Sequence, residues 1–147
     1  MKIIIAENSG FCFGVRKAIS RTFDASRKSR KNIFTYGPLI HNKQVIEELN
    51  SLGVKATDDI KEARDSILII RSHGVSLEIY DKARQYNIEL IDATCPFVRK
   101  VQKIAREHYE KGYQVIIVGN PNHPEVIGIN GWCNNNAIIV ENIQEVD

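Results

Sequence analysis

The sequence has no CxxC pair, no low-complexity tract, no long linker and no apolar run near the roughly 20 residues that a membrane-spanning helix requires. Its three cysteines, Cys12, Cys95 and Cys133, are odd in number and far apart. A disulfide framework is therefore not expected, and any metal site has to be assembled from distant parts of the chain. The net charge of +2 leaves no electrostatic footprint for nucleic acid. The opening MKIIIAENSG makes a poor signal peptide, with one lysine and a short apolar run followed by Glu7 and Asn8. The expectation is a cytoplasmic protein that engages neither nucleic acid nor membrane.

What is present is a globular composition, 43% hydrophobic and 26% charged over 147 residues, in which short β-branched runs alternate with helical patterns. Residues 2–7 (KIIIAE) read as a buried strand and residues 14–28 as a helix with Val15, Ala18, Ile19, Thr22 and Phe23 on one face. A short strand follows at 33–36, closed by Gly37-Pro38, then a helix at 42–51 stopped by Gly53. Residues 66–71 (SILIIR) and 89–92 read as strands on either side of a helix at 77–86. Pro96 opens a long helix whose apolar stripe is Val98, Val101, Ile104, Ala105 and Tyr109, and Gly112 ends it. Strands follow at 113–118 and 137–140. This rhythm predicts an α/β fold of parallel sheets flanked by helices. The division is expected near Pro96, with residues 1–96 forming a first α/β unit and 97–147 the start of a second. Residues 142–147 read as a strand exit and a first helical turn, so the second unit is expected to continue in a longer chain.

In open α/β sheets, ligands bind at the carboxyl ends of the strands. Cys12, His41, His73, Cys95 and His123 all fall at such strand exits, whereas His108 and Cys133 do not. A thiol at a helix N-terminus feels the positive end of the dipole, which favours the thiolate, the form that binds iron–sulfur clusters. Free N–H groups at the same positions, with imidazole donors, suit phosphate oxygens. Each residue also has a plainer role: Cys12 and Cys95 as packing thiols, the three histidines as capping or loop residues, and Glu125 as a first-turn acid rather than a general acid. Cys133 reads as a packing residue or exposed thiol, His108 as solvated, and the run Arg27-Lys28-Ser29-Arg30-Lys31 as a solvated helix end.

Five segments, ENSGFCFGVRKAI, TYGPLIHN, RSHGVS, DATCPFVRKV and NHPEVIG, resemble the successive motifs of the 4-hydroxy-3-methylbut-2-enyl diphosphate reductase (LytB) family, in the family's order. The resemblance implies three similar α/β units around a central [4Fe–4S] cluster, of which this chain holds the first one and a half. It implies that Cys12 and Cys95 are cluster ligands, with the third cysteine beyond residue 147. His41, His73 and His123 are then contacts to the diphosphate of a small allylic substrate, and Glu125 serves in proton delivery. The implied reaction removes the allylic hydroxyl as water, with two electrons and two protons, and yields isopentenyl and dimethylallyl diphosphates, the terminal step of the non-mevalonate isoprenoid pathway. Electrons come from a carrier of ferredoxin or flavodoxin type. After HPEV the sequence runs IGING where many members carry a Gly-Thr pair. The 147-residue chain by itself is expected to be inactive. Two other readings stay open from the residues: a phosphate-binding α/β module without redox chemistry, and a fragment whose exposed edge pairs with a partner half.

Overall fold

The computed structural model describes residues 2–7 and 9–146. Its elements run α1 (Phe13–Lys28), β1 (Ile33–Tyr36), α2 (Lys43–Ser51), β2 (Val54–Thr57), β3 (Ile67–Ile70), α3 (Leu77–Gln85), β4 (Glu89–Asp92), α4 (Pro96–Glu110), β5 (Ile116–Val118), α5 (Pro124–Trp132) and β6 (Ile138–Val140), with short 3₁₀ turns at Ile60–Ala63 and Ile143–Glu145. Strands β1 to β4 form one parallel sheet in the order β2-β1-β3-β4, and β5 pairs in parallel with β6 in a second. The α/β architecture read from the alternation is the one observed.

The reason lies in the central strand. Every residue of β3, ILII, is buried, which a strand achieves only when both faces of its sheet are covered. Ile67 and Ile69 point into a core with Ala18 and Ala25 of α1, Leu49 of α2 and Leu39 and Ile40 of the β1–α2 loop. Leu68 and Ile70 point into the opposite core, with Ile79 and Ala83 of α3, Ile60 and Ala63 of the 3₁₀ turn, and Val75 and Ile88. Fully burying each of these large aliphatic side chains contributes about 1.5–3 kcal/mol, so β3 anchors the loops that leave its carboxyl end.

Four expectations need correction. Residues 2–7 contain no strand, and Ile3, Ile4 and Ile5 are 74–78% exposed. An apolar run marks a segment that gains from burial, but a strand also needs a neighbour to complete its ladder, and none of the described strands pairs with this segment. The expected strand at 113–118 shrinks to Ile116–Val118. Strand β2 was not anticipated, because VKAT carries little apolar signal and owes its conformation to its ladder with β1. The expected stripe of α4 is only in part its buried side, with Ala105 buried and Val98 and Tyr109 partly so. Val101 and Ile104 are about half exposed, and Gln102 and Ala105 are the buried pair.

Helix α5 was also missing from the pattern reading. Its sequence PEVIGINGW has two glycines, each costing a helix about 1 kcal/mol relative to alanine. The helix forms because Pro124 suits its first position, and because those glycines allow a close approach described below.

Candidate functional site

Cys12 is the N-cap residue of α1 and Cys95 the N-cap residue of α4. Neither side chain is used in capping, and neither helix has an acid in its first turn. The two helix starts meet. A Cβ placed on Gly14, in the first turn of α1, would lie 2.9 Å from Cys95 Sγ. Only glycine there lets α1 approach the Cys95 thiol so closely.

The Cys95 loop is held by the exits of β3 and β4, which stay paired beyond the sheet. The Ala93 N–H donates to the Ile70 carbonyl (3.0 Å) and the Cys95 N–H to the Ser72 carbonyl (2.9 Å). Cys95 is thereby fixed one residue from His73. Asp92 braces this loop. Its carboxylate accepts from the Thr94 N–H (2.9 Å) and the Tyr80 hydroxyl (2.7 Å) and pairs with Arg99, while Arg21 donates to its backbone carbonyl. Burial works against the Asp92 charge, yet hydrogen bonds from Thr94, Tyr80 and Arg99 hold its pKa below the usual carboxylate value. Burial and the bond to Asp92 raise the Tyr80 phenol well above its ordinary range.

The sign of the linkage is fixed by the lowered carboxylate. Its contribution to stability is present above the unfolded-state value and is lost as pH falls through the folded-state value. Asp92→Asn is expected to cost about 2 kcal/mol at neutral pH, the loss of charge-assisted bonds. In urea unfolding the gap to the unsubstituted chain should narrow as pH falls through the carboxylate range. A gap that is independent of pH would mean that the charge plays no part.

The three histidines converge at the same end of the sheet. The ring centroids of His41 and His73 are 6.0 Å apart and those of His73 and His123 6.1 Å. Burial, and then the Arg71 guanidinium, lower the His73 pKa from its ordinary value, with Glu125 pulling the other way. At neutral pH His73 is an uncharged imidazole with one N–H to donate. His123 caps α5, its Nδ1 accepting from the Glu125 N–H (3.3 Å). That bond leaves the His123 proton on Nε2. Glu125 is half-buried in the first turn of α5 and close enough to His73 to act on its charge.

His123 reaches His73 because α5 rests directly on the loop after β3. The Trp132 Nε1–H donates to the Val75 carbonyl at 2.9 Å. A Cβ on Gly131 would lie 2.1 Å from Ser76 Cβ, and one on Gly128 would lie 3.3 Å from Gln102 Nε2. Sequence reading named the chemically active residues but missed Gly14, Gly128, Gly131 and Gln102, which bring them together. The available signal was the Gly-x-x-Gly spacing in IGING, which puts both glycines on one helix face.

The remaining candidates lie outside this cluster. Cys133 is fully buried at the end of α5, and burial raises its thiol pKa, so it packs. His108 is exposed and bonded to the Ile104 carbonyl of its own helix. Arg27 and Lys28 close α1 at its carboxyl end, and Lys31 pairs with Glu89 at 3.0 Å. Among the described residues no group of three or more His, Cys, Asp or Glu side chains is arranged to hold a metal ion. Two uncapping thiols at adjoining helix N-termini, with the Gly14 hydrogen leaving room beside Cys95, fit two positions of a thiolate-ligated iron–sulfur cluster.

The family model described as LytB protein matches residues 3–147. The chain belongs to the LytB family. A 4-hydroxy-3-methylbut-2-enyl diphosphate reductase of Alkaliphilus oremlandii is 53% identical over 147 residues, covering 99% of this chain and 53% of that protein. The reductase of the same name from Caldanaerobacter subterraneus is 46% identical, over 100% of this chain and 52% of its own length. A solved structure described as (E)-4-hydroxy-3-methyl-but-2-enyl diphosphate reductase, the terminal enzyme of the non-mevalonate pathway, superposes with a TM-score of 0.85 at 39% identity, covering 98% of this chain and 52% of that one. The reductase structure from Plasmodium falciparum gives a TM-score of 0.90 at 33% identity, over 96% of this chain and 45% of that one. This LytB-family chain therefore spans about half the length of the curated relatives it matches. No helix among its described residues is long and apolar enough to cross a membrane.

Proposed function

We propose that this LytB-family chain carries part of the site of a cytoplasmic 4-hydroxy-3-methylbut-2-enyl diphosphate reductase. Cys12 and Cys95 serve as two thiolate ligands of a [4Fe–4S] cluster whose third cysteine belongs to a longer chain. His41, His73 and His123 hold the substrate diphosphate, and Glu125 delivers a proton. The observation that carries this reading is the junction of the two helices that open at Cys12 and Cys95, beside a convergent set of imidazoles, at one end of one sheet. Residues 1–96 act as the first α/β unit and 97–147 as the opening of a second, a division supported by the separate β5–β6 sheet.

The residues have distinct tasks. The imidazoles bind the diphosphate by hydrogen-bond donation and hold it away from the cysteines. The Glu125 carboxylic acid protonates the departing hydroxyl, so that the leaving group is water rather than hydroxide. When bound, the cluster would supply single electrons and Lewis acidity toward the hydroxyl. The overall change consumes two electrons and two protons, breaks one C–O bond, forms one C–H bond and releases water. The electrons come from a one-electron carrier of ferredoxin or flavodoxin type.

Anaerobic reconstitution with ferrous iron, sulfide and an added small thiol tests the proposal, the thiol standing in for the third ligand. The expected result is brown protein with sulfide-to-iron charge-transfer absorption, absent in Cys12→Ser and unchanged in Cys133→Ala. The reconstituted 147-residue chain should show no reductase turnover. Colourless protein that still binds inorganic pyrophosphate would instead establish a phosphate-binding module without redox chemistry.

A further inference from the structure

Arg71 directly follows β3 and is only partly exposed. Its guanidinium rests against the Gly37 backbone. A Cβ on Gly37 would lie 2.9 Å from Arg71 Nη1 and 3.2 Å from Cζ, and the residue has a φ of +67°. This packing takes water from the guanidinium without giving it a partner. Nε is buried and has no hydrogen-bond partner among the described residues. No carboxylate among them forms an ion pair with Arg71. Asp58 stands on the same side, with Oδ1 3.5 Å from the Gly37 Cβ position, and leaves Arg71 unpaired. A charge drawn out of water is ordinarily paired, so an unpaired Arg71 points to an anion that the protein does not supply.

Arg71 lines a cavity of about 390 Å³ bounded by Tyr36 of β1, by α3 and by the start of α5, and none of His41, His73 and His123 takes part in it. The volume is in the range of small-molecule sites, which combine apolar walls with a few polar groups. Here Val75, Ile79 and Ile127 supply apolar wall. The Ser76 hydroxyl makes no capping bond to α3, and burial raises the Tyr36 phenol so that it stays protonated, which leaves both as donors. The other charges lining the cavity, Glu78 and Lys82, neutralise each other in an ion pair at 2.6 Å. Arg71 is therefore the single uncompensated charge of the lining. One positive charge matches a monoanion, and the planar guanidinium fork matches a carboxylate. We propose that this cavity binds a small monocarboxylate with a short apolar body, its carboxylate on the Arg71 guanidinium and its body against Val75, Ile79 and Ile127. Such an occupant touches β1, α3 and α5 at once.

Titration of the ¹⁵N-labelled 147-residue chain, followed by amide shifts, tests the site with 3-methylbutanoate as probe. Its uncharged match, 3-methylbutanamide, and inorganic phosphate are titrated alongside. The acid is expected to bind with a Kd on the order of 1 mM, as suits so small a ligand. Its shifts should centre on Ser76, Ile79 and Ile127, and the amide should bind at least tenfold more weakly, roughly the loss of one charge-assisted contact. Arg71→Met, similar in length and uncharged, should weaken the acid by at least about tenfold and leave the amide unchanged. Arg71→Lys keeps the charge and the stem but loses the fork, and a several-fold loss is expected there even if the methionine variant fails to fold. His41→Ala should leave the affinity for the acid unchanged. Absent binding, equal affinity for acid and amide, or wild-type affinity in folded Arg71 variants overturns the proposal. Phosphate binding tighter than the acid overturns the carboxylate assignment. A loss in His41→Ala as large as in Arg71→Met overturns the separate site and places the anion on the histidines.

Discussion

Gly14→Ala is expected to leave the chain folded while weakening its hold on iron by roughly tenfold to a hundredfold, the range found when the surroundings of a metal ligand are altered. The new methyl group would sit 2.9 Å from Cys95 Sγ and 3.1 Å from its Cβ. Rotation about χ1 takes Sγ out of the way, and the contact to Cβ needs a shift of only a few tenths of an ångström. That relief costs little stability, and alanine in a helix gains about 0.5–1 kcal/mol over glycine. The rotation nevertheless takes the thiol away from the junction of α1 and α4. Thermal unfolding should therefore change by a few degrees at most, while iron and sulfide content after reconstitution collapses. Unchanged iron content would show that the approach of α1 to Cys95 does not matter for the site. Loss of folding would show that the methyl group cannot be relieved by side-chain rotation.

Gly131→Ala should have the opposite signature, a large loss of stability with the histidine cluster pulled apart. Here the obstruction is 2.1 Å to Ser76 Cβ and 2.9 Å to Ser76 Cα. Backbone cannot rotate out of the way, so α5 has to lift from the loop that carries His73. The cost is expected to be about 3 kcal/mol, at the upper end for overpacking, with a fall in Tm on the order of 10 °C. Because His123 caps α5, its ring moves with the helix and pyrophosphate affinity should drop as well. Ser76→Gly supplies a control. The Ser76 side chain makes no capping bond to α3, so its removal should cost only a few tenths of a kcal/mol. The double substitution should then recover at least about 1 kcal/mol over the sum of the singles, because the two side chains collide. Additive effects within error would show that α5 and the Ser76 loop do not touch in solution.

These two substitutions mark where sequence reading stops. Local chemistry was legible: Pro96 opens a helix, SILIIR holds a strand, and Cys12, His41, His73, Cys95 and His123 sit where chain leaves strand or enters helix. Such features follow from periodicity and turn chemistry, which operate over a few residues. Residues 2–7 misled because apolar content cannot say whether a neighbouring strand exists. Helix α5 was missed because its glycines lower helix propensity and are explained only by what they rest on. Gln102 was missed because a polar residue within a helical pattern is ordinarily solvated, and its burial depends on α5 packing over it.

By itself, then, the sequence determined the α/β class, the positions of the reactive side chains along the chain and the family they mark. Only the tertiary structure decided that the Cys12 and Cys95 helix starts adjoin, that His41, His73 and His123 form one cluster, and that Cys133 and His108 lie outside it. The physical reason is that these approaches are made by atoms the sequence lacks. Hydrogens at Gly14, Gly74, Gly128 and Gly131 stand where any side chain would hold the elements apart, and which backbone each one faces is settled only when the sheet and its helices pack.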